Sequence, residues 1–86
     1  MNNNTDKEII SLHIINNENN KIRSHENNIM IECSHLIHEL QNTDDVYRAY
    51  RSIKNAMASI EEQMHMIDFC KDSIIGAYKF MNDTDC

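Results

Sequence analysis

The chain has no proline, no tryptophan, a single glycine (Gly76), few aromatic residues and no run of apolar residues longer than three, as at Ile29-Met30-Ile31. Each shortage removes a class of structure. Without Gly/Pro or Asn-Gly turn signals there is nothing to punctuate hairpins of strands, so helix is the default. Without a long apolar run there is neither a membrane span nor the core of a secretory signal, and no membrane insertion is expected. Basic residues are also scarce: eight Lys and Arg stand against fourteen Asp and Glu, for a formal charge of −6. Such a balance repels phosphate backbones, and nucleic acid is not an expected partner.

Cys33, Cys70 and Cys86 are odd in number and far apart. Nothing directs the chain to an oxidising compartment, so reduced thiols in the cytoplasm are the simpler reading, with Cys86 exposed as the last residue. Eighty-six residues make one domain at most, here 1–86 with ends at 1–5 and 83–86 expected to fray. A chain this short buries only about 60% of the surface its unfolded form exposes, so a partner or a second copy is expected to complete its core.

Thr5-Asp6-Lys7-Glu8 has the form of a capping box and predicts a helix from about Asp6. Its apolar register in alternating three- and four-residue steps is Leu12, Ile15, Asn19, Ile22, Glu26, Ile29, Cys33, Leu36 and Leu40, with two polar interruptions. The asparagines of 16–20 are poor helix formers. Two readings stay open: one long helix, or a break near 16–24 with Ser24 capping a restart.

Gln41-Asn42-Thr43-Asp44 is an interior turn, and a second helix over about 44–81 follows it. There the alternation is nearly unbroken: Val46, Tyr50, Ile53, Met57, Ile60, Met64, Ile67, Lys71, Ile74, Tyr78 and Met81, with Lys71 the one polar member. Beside it runs a row of smaller side chains, Ala49, Ala56, Gln63, Cys70 and Ala77, which widens the face and permits close helix approach. A short turn between two long helices predicts an all-α, two-helix antiparallel hairpin with the two seams facing each other. Two helices cannot enclose a core. The wide second face therefore has area left over, and Tyr47, Tyr50, Tyr78 and Phe80, with Met57, Met64, Met66 and Met81, suit a partner. For any one of these, packing on the first helix is the simpler account; the excess belongs to the stripe as a whole.

Catalytic and metal chemistry find little purchase. Glu32-x-x-His35 and Glu62-x-x-His65 have the spacing used in carboxylate-bridged dimetal bundles, and a bundle built by dimerisation would be the enzymatic alternative. A seam through Ile60 and Met64 puts Glu62 and His65 on the far, solvated side, and puts Glu32 and His35 beside or away from the seam of Cys33 and Leu36. Cys33 points well away from His35 and His38 on a helix, so no tetrahedral site follows. Cys33 and Cys70 read as small buried hydrophobes, and His13, His25, His35, His38 and His65 as solvated surface residues. No cofactor and no enzymatic activity are expected.

Asp44-Asp45-Val46-Tyr47-Arg48-Ala49-Tyr50-Arg51, then Ala56-Met57-Ala58-Ser59-Ile60 and the long stripe beyond, resemble the type III secretion needle co-chaperone family. The resemblance covers about half the chain. It implies two antiparallel helices, with Tyr47, Tyr50, Ala56 and Met57 as packing or partner contacts. It further implies a chaperone role in virulence: docking on a helical-repeat chaperone in the bacterial cytoplasm, the pair keeping the needle subunit monomeric. The partner-binding residues expected on this reading are Tyr47, Tyr50, Ile53, Met57, Ile60, Met64, Ile67, Ile74 and Tyr78. A self-associating coiled coil, a homo-oligomeric assembly protein of needle-like, phage or viral type, is the rival.

Overall fold

A computed structural model of the chain describes residues 3–82. They form two α-helices, α1 (Asn3–Gln41) and α2 (Val46–Asn82), with no strand among the described residues. Of the ends expected to fray, 1–5 and 83–86, residues 3–5 lie within α1, while 1–2 and 83–86, and Cys86 with them, lie outside the described residues. The helices run antiparallel: Glu39 near the end of α1 accepts a hydrogen bond from Ser52 near the start of α2, and Lys7 lies over the Phe80 ring at 5.3 Å. The resulting rod measures 67 × 17 × 9 Å, with a radius of gyration of 19.6 Å against roughly 12 Å for a compact chain of this length.

The turn is built by side chains that satisfy helix ends. Asn42 Nδ2 donates to the His38 carbonyl at 2.7 Å, closing α1. Asp45 is the N-cap of α2: its Oδ1 accepts from the Tyr47 and Arg48 amides at 3.0 and 3.4 Å, and its carbonyl takes the first helical bond from Ala49 at 2.9 Å. Thr43 Oγ1 accepts from the Asp45 amide at 3.3 Å and holds the cap in place.

Helix α1 is continuous through the asparagine cluster and starts by Asn3, so Thr5 and Glu8 lie inside it and neither they nor Ser24 cap a start. Asn16, Asn17, Asn19 and Asn20 are all exposed, each costing about 0.6 kcal/mol relative to alanine. The cluster also carries Ile15 and Glu18, both buried against α2, and tertiary packing of this kind outweighs propensity. A Lys21–Glu18 ion pair at 3.1 Å spans the end of the stretch.

The expected registers are half right. On α1 the sheltered positions are Lys7, Ser11, Ile15, Glu18, Ile22, His25, Ile29, Glu32 and Leu36. The row Ile15, Ile22, Ile29, Leu36 faces α2 as expected, but its neighbour is Ser11, Glu18, His25, Glu32 in place of Leu12, Asn19, Glu26, Cys33 and Leu40, all of which are exposed. On α2 the expected seam is displaced by its own flank. Ala56, Cys70 and Ala77 are only 4–5% exposed, whereas Tyr50, Met57 and Met64 of the long stripe are 56–63% exposed. Small side chains let the two backbones approach closely, and polar partners on α1 draw the contact toward them.

Candidate protein-binding face

At about 100° per residue, the Ile53, Ile60, Ile67, Ile74 row of α2 lies about 40° to one side of the small row, and the Ser52, Ser59, Met66, Ser73, Phe80 row about 60° to the other, with Met66 and Phe80 exposed on it. The hairpin therefore has two unlike edges. On one, the polar row of α1 meets Gln63 and Cys70 of the small row and, near the turn, Ser52 of the serine side. His25 Nδ1 donates to Gln63 Oε1 at 2.7 Å, and the same oxygen accepts from Asn28 Nδ2 at 3.4 Å. Near the turn this edge forms a shallow polar groove lined by Glu32, His35, Glu39, Arg48, Ser52 and Asn55. His25 is thus a half-buried structural residue and not the solvated one expected; its interior row, repeating with Ser11, Glu18 and Glu32, was the signal that could have shown it.

Glu18 forms the most sheltered polar contact. The Cys70 thiol and the Lys21 ammonium both donate to its carboxylate, holding Glu18 below the ordinary carboxylate range. Burial, reinforced by the Glu18 hydrogen bond and charge, pushes the Cys70 thiol up, which keeps it protonated and unreactive. Cys70 is buried as expected; Cys33 is exposed, since its row points away from α2. Ser11 is fully buried and its hydroxyl has no partner.

On the other edge the isoleucine rows of both helices come together, and beyond them the Tyr50, Met57, Met64, Tyr78 row stands clear of α1. Of the expected partner-binding residues, Ile60, Ile67 and Ile74 are half-buried at the boundary of the hairpin contact. Ile53 is at the limit of exposure, and Tyr47, Tyr50, Met57, Met64 and Tyr78 are open. Tyr47 lies on the solvent flank of the stripe with Lys54, Glu61, Asp68 and Ile75, all exposed. The stripe is continuous except at Lys71, whose ammonium is drawn aside to Asp68 at 3.4 Å. Lys54 lies over the Tyr50 ring at 5.6 Å.

The whole chain exposes 6962 Å² at 10.1 kDa, about a third more than the roughly 5300 Å² of a compact monomer of that mass. Elongation produces the excess. No group of three or more His, Cys, Asp or Glu side chains that could hold a metal occurs among the described residues; Glu62 and His65 are both exposed. No helix among the described residues is long and apolar enough to cross a membrane. Comparison with known proteins finds no family model, no curated protein and no solved structure that matches this chain.

Proposed function

We propose that the hairpin is a protein-binding module that acts by burying the apolar edge of α2 against another helix, and that it serves as a co-chaperone. The observation that carries the reading is the displacement of the seam: α1 is spent on the small row, so Tyr50, Met57, Met64 and Tyr78 remain open along the rod. Large apolar and aromatic side chains aligned on one face are what an amphipathic helix needs to dock, and methionine adapts to the shape it meets. The likeness of Tyr47, Tyr50, Ala56 and Met57 to the type III secretion needle co-chaperones supports a specific form. In that form the hairpin acts with a helical-repeat chaperone to keep a needle subunit monomeric in the bacterial cytoplasm. Covering a self-associating amphipathic helix demands an apolar groove and no catalytic group.

Co-expression with a needle subunit and a helical-repeat chaperone, followed by size-exclusion chromatography with light scattering, tests this. A stable complex of defined mass is expected, lost on Met57→Glu and Met64→Glu. If the chain elutes apart from both proteins under all conditions, the co-chaperone reading is wrong.

A further inference from the structure

We propose that in the absence of another protein the open stripe of α2 is closed by a second copy of the chain, with the two α2 helices antiparallel and Glu61 on the two-fold axis. The inference rests on the reading of this stripe as a docking face and adds its occupant and register.

The packing of the hairpin decides the orientation. A helix that buries a stripe by coiled-coil packing offers two flanks to its neighbour, and charged residues on those flanks set partner and direction. Here one flank is the Ala49, Ala56, Cys70, Ala77 row, already against α1. The only free flank is Tyr47, Lys54, Glu61, Asp68 and Ile75. Parallel helices would bring this flank onto the occupied one. Antiparallel helices bring it onto itself, as an isologous two-fold contact requires.

Read against itself in reverse, the flank is self-complementary. Tyr47 meets Ile75 of the second copy, Lys54 meets Asp68 of the second copy, and symmetry repeats each pair. Glu61 meets its own equivalent at the centre and is the one like-charged pair. In the same register Met64 packs with Ile60 of the second copy, Met57 with Ile67, and Tyr50 with Ile74. Lys71 falls opposite Ile53, and its ammonium is already held at the rim by Asp68.

Sedimentation equilibrium of the full chain across micromolar to submillimolar concentrations is the test, with helicity followed by circular dichroism so that loss of fold is recognised. The expected species is a dimer of twice 10.1 kDa. Lys54→Glu and Asp68→Lys each weaken it by about tenfold, because each reversal acts twice; the double reversal restores it, and Glu61→Gln tightens it. A chain that stays monomeric throughout overturns the second copy, while the docking face stands if Met57→Glu still abolishes capture of a needle subunit. A dimer indifferent to both reversals overturns the register. A dimer that survives Met57→Glu and Met64→Glu with full helicity overturns this proposal, and unchanged capture of a needle subunit by the same variants overturns the docking face.

Discussion

The two edges of the hairpin are made from neighbouring rows of the same helices and end in opposite states. On the polar edge, His25, Asn28 and Gln63, and Glu39 with Ser52, find partners within the chain. On the apolar edge, Tyr50, Met57 and Met64 find few. A buried polar group without a partner costs about 1–3 kcal/mol, whereas an exposed apolar one forgoes only the gain it would have made on burial. In a molecule of two helices, which can close one contact only, the hairpin shelters rows in which Glu18 with Cys70 and His25 with Gln63 satisfy one another, Ser11 alone being buried without a partner, and leaves Tyr50, Met57 and Met64 open. Length without a third helix therefore leaves large apolar side chains exposed on both helices, and on α2 Tyr50, Met57, Met64 and Tyr78 among them fall in a line.

The sharpest way to break this contrast is to charge each edge in turn. Met57→Glu with Met64→Glu on the apolar edge is expected to weaken partner capture by more than about 100-fold, since an unpaired carboxylate in the centre of an apolar contact costs several kcal/mol. Asn55→Glu with Glu62→Lys, exposed on the polar side of α2, is expected to leave capture within a few-fold. Titration calorimetry against the purified partner compares the two; equal losses from both pairs refute the assignment of edges.

A second contrast lies within α1. Ile15 is 8% exposed and Leu12 is 52% exposed, although the three- and four-residue steps of the sequence treat them as equals. Ile15→Ala is expected to cost about 2–3 kcal/mol in urea unfolding, the low end for a buried isoleucine because the site opens on solvent to one side. Leu12→Ala is expected to stay within about 0.5 kcal/mol. Similar losses at both positions would restore the register through Leu12 and Cys33.

That pair shows how far the sequence could be read. Two antiparallel helices, the turn at Gln41–Asp44 and the existence of an uncovered stripe follow from periodicity and capping residues, and the structure has all three. The phase of the contact does not follow. A hydrophobic register ranks Leu12, Cys33 and Leu40 above Ser11, Glu18 and His25, and only the arrival of Gln63 and Cys70 from the other helix reverses the order. The small row of α2 was visible beside the stripe, and its permissive role in close approach was the clue that it would take the contact itself. The continuity of α1 through Asn16–Asn20 was equally hidden, because it depends on Ile15 and Glu18 being held by α2.

Gly76 offers a smaller and purely local test. It lies inside α2, exposed, and a Cβ built on it meets nothing within 4 Å. Gly76→Ala is expected to stabilise the hairpin by about 1 kcal/mol through helix propensity alone, raising the melting temperature by about 4–8 °C. The gain should leave partner capture unchanged, since Gly76 follows the rows of Asn55 and Glu62 on the side away from the stripe. Weaker capture by this variant would mean that the partner reaches around to the polar side.

The smallest effect expected is a pH dependence confined to the Glu18–Cys70 contact. Glu18 titrates lower in the fold than in the unfolded chain, so its contribution is complete above the unfolded carboxylate value and disappears as pH falls through its folded value. Cys70 is shifted the opposite way, up from 9.0, so the neutral thiol is the form the fold prefers. Its contribution is complete below 9.0 and is lost as pH rises through the folded value. Glu18→Gln should therefore flatten the acid limb of a stability–pH curve measured by urea unfolding, and Cys70→Ala the alkaline limb. Lys21 bonds the same carboxylate, so Lys21→Ala should shrink the acid limb without abolishing it. Curves that stay parallel to that of the unaltered chain would show that this contact titrates alike in folded and unfolded states. The polar edge would then owe its closure to His25 with Gln63 and to the fit of Ala56 and Ala77.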